Sequence, residues 1–286
     1  MIFDIGLSPA ILGLLGFVFG AIFGSFLNVV IVRLPLILEA QWSRDSHEFL
    51  GLETVTEEPL SLASPGSHCP HCGTPIKPIH NIPILSYLWL KGRCNQCAQP
   101  ISSQYPLVEL ITGLVTALFL FQFELSPLAL NGIVFSYLLI LLAVIDYREQ
   151  LLPDQLTLSL LWLGLLVNLN GLFTNIESAI IGAAVGYLSL WSVYWLFKLS
   201  TGKEGMGYGD FKLTAALGAW LGWQMVPVVI FLASAVATVI GLCAIIFAAR
   251  DRDSPLAFGP YLCFSGWIAM LWGDSILHQY LSFFTL

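Results

Sequence analysis

Apolar residues run along this chain in long blocks separated by short polar joints, and the blocks have the length of membrane helices rather than of strands. Windows approaching the roughly 20 residues that cross about 30 Å of hydrocarbon extend from Ile11 to Val32, Leu107 to Phe123, Leu128 to Ile145, Leu156 to Phe173, Ala179 to Phe197, Phe211 to Trp223, Val226 to Ala248 and Tyr261 to Phe284. The sixth is short and glycine-rich. The pattern predicts an all-α polytopic membrane protein of about eight transmembrane helices. Between the first and second blocks, from Arg33 to Pro106, the chain turns polar, and Pro65, Gly66, Pro70, Gly73, Pro75, Pro78 and Pro83 interrupt any long helix. The expected organisation is a first transmembrane helix (1–32), a loop domain (33–106) and a helical bundle (107–286).

Composition agrees: 57% of the 286 residues are hydrophobic and only 10% charged, far from the balance of a soluble domain. The eleven Lys and Arg residues orient the chain. Arg33, Arg44, Lys77, Lys91, Arg93, Arg148, Lys198, Lys203, Lys212, Arg250 and Arg252 all follow odd-numbered blocks or lie at their edges. By the positive-inside rule the N-terminus is outside and the loop domain is cytoplasmic. The first block lacks a basic leader and a small-residue cleavage pattern, so it reads as a retained helix rather than a signal peptide. Much of the net charge of −7 comes from Asp45, Glu48, Glu53, Glu57 and Glu58 in the first cytoplasmic loop. Such an acidic face disfavours nucleic acid as a partner.

The loop domain has little apolar material, mainly Ile82 to Leu90, and a domain of this size needs a staple. Cys69-Pro-His-Cys72 and Cys94-Asn-Gln-Cys97 are two CxxC knuckles with 21 residues between them. Tetrahedral thiolate ligation needs two sulfurs presented on each tight turn, and Gly73 and Gly92 lie where such turns would use them. Structural zinc on Cys69, Cys72, Cys94 and Cys97 is the expectation, and a disulfide is disfavoured in a cytoplasmic loop. His68 and His71 flank the first knuckle, but four cysteines already fill the shell. Cys243 and Cys263 lie inside apolar blocks and read as small buried hydrophobes.

Two aspartates sit at the ends of apolar blocks on the side assigned to the cytoplasm. Asp146 closes the run Leu141-Leu-Ala-Val-Ile, and Asp210 closes Gly205-Met-Gly-Tyr-Gly. Two carboxylates sharing a proton can activate water and protonate a carbonyl, which is aspartic-protease chemistry. The glycines would admit an extended substrate backbone. Taken singly, either aspartate also reads as a helix-end group paired with Arg148 or Lys212. Asp154 is expected to N-cap the fourth helix. Glu109, behind Pro106, reads equally as a functional intramembrane acid and as a hydrogen-bonding group at a helix start. Gly16, Gly20 and Gly24, and later Gly182 and Gly186, repeat at four-residue spacing and predict close helix packing.

Several stretches together resemble a known family. Gly24-Ser-Phe-Leu-Asn-Val-Val-Ile-Val-Arg-Leu-Pro35, the paired CxxC knuckles, Pro106-Leu-Val-Glu109, Ile145-Asp146 followed by Leu152-Pro-Asp154, and Gly205-Met-Gly-Tyr-Gly-Asp-Phe-Lys212 are similar, in this order, to the type IV prepilin peptidases. The resemblance implies a GxGD aspartic protease of the bacterial inner membrane with Asp146 and Asp210 as its catalytic pair. Its substrates would be type IV prepilins or type II secretion pseudopilins, cut on the cytoplasmic side after a glycine and before a hydrophobic helix commonly starting with Phe. It also implies N-methylation of the new terminus from S-adenosylmethionine, associated with the zinc loop. No Rossmann glycine pattern marks a site for that methyl donor, so no residue is assigned to it. A basic leader would be drawn to the acidic stretch from Asp45 to Glu58.

Two other classes use the same residues differently. In an ion-coupled transporter, Asp146 and Asp210 would bind the coupling ion beside a broken sixth helix. In a membrane thiol oxidoreductase, the CxxC pairs would be redox-active.

Overall fold

The computed structural model describes residues 6–52, 60–247 and 257–284. Among them are nine α-helices and no strands: α1 (Pro9–Leu50), α2 (Leu85–Trp89), α3 (Gln104–Phe123), α4 (Pro127–Glu149), α5 (Asp154–Val167), α6 (Ile176–Thr201), α7 (Tyr208–Leu221), α8 (Met225–Phe247) and α9 (Gly259–Phe284). Apart from the five-residue α2, each falls on one of the eight apolar windows. The expectation of about eight crossings is met only in part: among the described residues five helices, α1, α3, α4, α6 and α8, are long and apolar enough to cross a membrane. Helices α5 and α7 have 14 residues each, about 21 Å at 1.5 Å per residue, and fall short of the hydrocarbon thickness. The window read as Leu156 to Phe173 ends early because the chain tightens into a 3₁₀ turn at Asn168–Asn170 and reverses at Gly171, where φ is +64°.

The chain forms two compact units, Met1–Tyr137 and Leu138–Leu286. In the first, α1 packs along α3 through its glycine stripe. A Cβ on Gly20 would lie 2.8 Å from the Thr116 Cβ, and one on Gly24 would lie 2.7 Å from the Glu109 Cα, so only glycine lets the backbones approach this closely. Thr116 in turn shares a 2.6 Å hydrogen bond with Tyr137.

Helix α1 does not stop at Val32. It continues through Pro35, held inside the helix, to Leu50, and closes on Gly51 at φ +66°. Arg33, where the sequence turns polar, lies within the helix. There Arg33 donates to the carbonyls of Ser61 and Leu62 at 2.9 and 3.3 Å and to that of Pro65 at 2.5 Å, tying the returning chain to the helix. Of the acidic cluster, Glu53, Glu57 and Glu58 lie outside the described residues, as do Arg250 and Arg252.

The second unit is built around α7, from Asp210 to Trp220 an almost continuously buried helix. It crosses α6 where Gly182 faces Gly218 and Gly186 faces Thr214. Its C-terminal end is closed by Asn168, whose side-chain amide donates to the Ala219 and Trp220 carbonyls at 2.9 and 3.0 Å while its carbonyl accepts from the amides of Phe173 and Thr174. The Trp220 indole donates to the Leu160 carbonyl at 2.7 Å, fixing α5 to the same helix. A Cβ on Gly182 would lie 2.9 Å from backbone carbons of both Gly218 and Gly222. Backbone cannot yield as a side chain does, so Gly182→Val should cost about 1–3 kcal/mol. A lowered melting temperature of the purified protein in detergent checks this; an unchanged one would show that α6 and α7 do not meet there.

Candidate functional site

The carboxylate site lies wholly within the second unit. Asp146 is near the C-terminal end of α4 and Asp210 is the third residue of α7. They are only 6% and 8% exposed, and close enough that the charge of Asp146 acts on Asp210. Both also act on the buried thiol of Cys263 on α9. The structure thus brings together the two aspartates that the sequence singled out.

What holds them was less visible in the sequence. The Gly259 backbone amide, at the first residue of α9, donates to Asp146 Oδ2 at 3.0 Å. A Cβ on Gly259 would lie 2.6 Å from that same oxygen and 3.2 Å from Leu152 Cδ2. Leu152 packs on the other side against Gly209, where a Cβ would meet the Leu152 Cβ at 2.7 Å. One leucine is therefore wedged between the glycine beside Asp210 and the glycine that binds Asp146. Gly259→Ala should drive Asp146 from its seat and lower turnover at least about tenfold, a displacement of the order of 1 Å being enough to do so. The expected signature is a fall in kcat with KM little changed; wild-type kcat would dissociate Gly259 from the site.

The three glycines before Asp210 divide their work, which corrects the expectation that all of them make room for a substrate. Gly205 abuts the Phe197 ring and Gly209 abuts Leu152, so both are needed for packing. Gly207 is the N-cap of α7, in extended conformation at φ −82° and ψ 152°, and its backbone amide lies against the Asp210 carboxylate. The approach to α7 is moored by Lys198, which donates to Glu204 Oε1 at 2.7 Å and to the Tyr194 hydroxyl at 3.1 Å. The rings of Tyr194, Tyr208 and Phe211 pack mutually with centroids 5.4–5.6 Å apart.

Asp154 does not N-cap α5. The cap position is Pro153, and Asp154 in the first helical turn instead takes the Lys212 ammonium at 2.6 and 2.8 Å. That ion pair ties the start of α5 to α7 and directs Lys212 to Asp154. Arg148 pairs with Glu149 at 3.5 Å. Glu109 serves a hydrogen bond, though not at the helix start: in the first unit its Oε2 accepts the Ile84 amide at 2.7 Å.

Also in the first unit, the sulfurs of Cys69, Cys72, Cys94 and Cys97 all lie within 4.8 Å of one another. The two knuckles repeat one geometry. Gly73 and Ala98 donate to the Cys69 and Cys94 carbonyls at 2.9 and 3.0 Å, and Cys69 and Cys94 donate to the Thr74 and Gln99 carbonyls at 3.0 and 2.8 Å. Each turn closes on a residue with positive φ, Gly73 at +67° and Ala98 at +57°. The turn residue of the second knuckle is therefore Ala98 and not Gly92, which faces the Tyr87 ring. Metal–sulfur bonds of about 2.3 Å in a tetrahedron put sulfurs about 3.8 Å apart, and Cys69 and Cys97 are 3.8 Å apart. The Thr74 hydroxyl and then its amide pull the Cys72 thiol down to about 6, toward the thiolate that metals bind. The four cysteines fit a zinc ion. His68 is turned away, its Nδ1 2.9 Å from the Gly66 carbonyl.

Comparison with known proteins agrees along the chain. Two family models match: the bacterial peptidase A24 N-terminal domain over residues 18–123 and the type IV leader peptidase family over residues 133–242. A prepilin leader peptidase/N-methyltransferase of Aeromonas hydrophila is 52% identical over 270 residues, covering 94% of this chain and 93% of the relative. Proteins of the same name from Pseudomonas putida and Pseudomonas aeruginosa are 48% and 49% identical, over 95% and 92% of this chain and 94% and 91% of their own. No solved structure matches.

Proposed function

Because this chain belongs to the type IV leader peptidase family, we propose that it removes the basic leader of type IV prepilins or pseudopilins and then N-methylates the exposed terminus. The observation that carries the peptidase assignment is that Asp146 and Asp210 are both buried about one leucine, Leu152, which packs on Gly209 beside Asp210 and on Gly259, whose amide binds Asp146. In this reading one carboxylate takes a proton from water, the hydroxyl oxygen attacks the scissile carbonyl, and the other carboxylate donates its proton to the carbonyl oxygen. In the collapse of the tetrahedral adduct the first aspartate gives the proton it took from water to the leaving nitrogen, the second recovers a proton from an adduct hydroxyl, and the C–N bond breaks to leave a leader carboxyl group and a free amine on the mature pilin. Gly259 holds Asp146 by its amide, and Gly207 seats Asp210 at the start of α7.

The loop domain 33–106 and the bundle 107–286 are assigned the two reactions, methylation to the first and hydrolysis to the second. Cys69, Cys72, Cys94 and Cys97 would hold zinc as a structural staple, since four thiolates leave no open position for chemistry. S-adenosylmethionine supplies an electrophilic methyl group when bound. Among the described residues no cradle for it is identified, so no side chain is assigned to methyl transfer. Methylation follows hydrolysis, because its acceptor amine exists only after the leader is gone. The charge distribution supports an inner-membrane protein with its N-terminus periplasmic and its active site facing the cytoplasm.

The discriminating experiment is incubation of the purified enzyme with a prepilin and S-adenosylmethionine, read by mass. Loss of the leader together with a gain of one methyl group is expected. An intact precursor that is nevertheless carried as a solute into sealed vesicles would favour ion-coupled transport instead.

A further inference from the structure

The apolar stretch expected to form the core of the loop domain is on its outside. Between residues 60 and 100 the sole buried hydrophobic residue among those described is Cys69, whereas Leu85, Leu88 and Trp89 on α2 are 63%, 66% and 70% exposed, with Ile79 and Ile82 exposed beside them. A patch of this kind on a segment outside the membrane helices needs a cover.

Its depth identifies the cover. Ile84, the residue before α2, donates its amide to Glu109 at 2.7 Å, and Glu109 is the sixth residue of α3. With 20 residues, α3 is about 30 Å long, only as long as the hydrocarbon is thick. Its sixth residue is about 7.5 Å in from the end. Backbone that touches Glu109 is therefore at the level of the membrane, and the exposed side chains that follow it meet lipid. The descent is built in at Ile84, a β-branched residue at φ +62°, a conformation that persists only where the surroundings impose it. The buried Glu109 carboxylate is the group that does so. Charge points the same way: Lys77, Lys91 and Arg93 are exposed around α2, and no Asp or Glu occurs between Leu60 and Val108. Exposed Leu and Trp rimmed by Lys and Arg is the composition of an interfacial segment on anionic lipid. The same cations would repel a basic leader peptide.

We propose that Ile82–Arg93 is a membrane-interface foot, with Leu85, Leu88 and Trp89 in the outer acyl region of the leaflet and Lys91 and Arg93 among its phosphates. The foot holds the second knuckle, which begins at Cys94, against the bilayer surface. This assignment does not depend on which bond the enzyme cuts.

The test is photo-crosslinking of the full-length enzyme in nanodiscs of mixed phosphatidylethanolamine and phosphatidylglycerol. p-Benzoylphenylalanine replaces Leu85, Leu88 or Trp89 singly, with Phe231 on the exposed face of α8 as the lipid-facing control and the exposed Ser46, near the far end of α1, as the water-facing control. Adducts are read by mass, and zinc content with methylation of pre-cleaved pilin reports that the loop of each variant is folded. Lipid adducts at all three foot positions in yields matching position 231, rising with the phosphatidylglycerol fraction, and no lipid adduct at position 46 are expected. Yields at the foot no higher than at position 46 would overturn the proposal. So would adducts mainly to peptides of this chain or of a second copy, since the patch would then be a protein interface.

Discussion

Asp146→Asn and Asp210→Asn should each reduce leader cleavage by roughly 100- to 10,000-fold while the protein stays folded in the membrane. An amide matches a carboxylate in shape but can neither take the proton from water nor hold the one delivered to the carbonyl. For Asp146 the substitution also keeps an oxygen to accept the Gly259 amide, at 3.0 Å in the native site, so lost activity is not lost structure. The two variants should be equally inert, because residues acting as a unit do not contribute additively. Methylation provides the control. Pre-cleaved pilin with a free terminal amine should still be methylated by the Asp210→Asn enzyme, whereas the intact precursor should not. Residual cleavage near the wild-type rate in either variant would remove that aspartate from the pair; loss of methylation on pre-cleaved pilin would show that the carboxylates serve both reactions.

Asp146 and Asp210 were legible in the sequence because each interrupts an apolar block with a group expensive to bury, a local signal that needs no partner to be seen. The knuckles were legible for the same reason, as ligand spacing is written within four residues. Gly259 was not: it acts through a backbone amide, and its contact with Asp146 spans 113 residues of sequence. The Asp154–Lys212 pair spans 58, which is why a local capping role looked sufficient for Asp154. The length of α1 was hidden in another way, because a change from apolar to polar at Arg33 ends an apolar window without ending a helix. Helix α1 runs on through Pro35, and Leu38 beyond it is buried at 3% exposure, so packing outweighs the hydrogen bond that the proline lacks. The apolar run Ile82 to Leu90 carries no label saying whether it faces inward or toward lipid. Only the Glu109 contact decides it.

Removal of the metal should unfold the knuckle region and abolish methylation. Among the described residues from 60 to 100 no hydrophobic residue other than Cys69 is buried, so apolar burial cannot offset the entropy of ordering the loop, which is about 1–2 kcal/mol per residue for backbone alone. Ligation must contribute instead, and structural zinc in small domains is worth about 10–16 kcal/mol. Cys69→Ser, Cys72→Ser, Cys94→Ser and Cys97→Ser should each lose stoichiometric zinc and open the loop to limited proteolysis. The four phenotypes should be equivalent, because the sulfurs all lie within 4.8 Å of one another and none is peripheral. A strong chelator should reproduce them in the native enzyme, and restored zinc should reverse the chelator but not the substitutions. Zinc retained by any one variant would break the four-thiolate site and bring His71, beside Cys72, forward as a ligand. Proteolysis unchanged on metal loss would mean that the Arg33 and Glu109 tethers hold the loop without the metal.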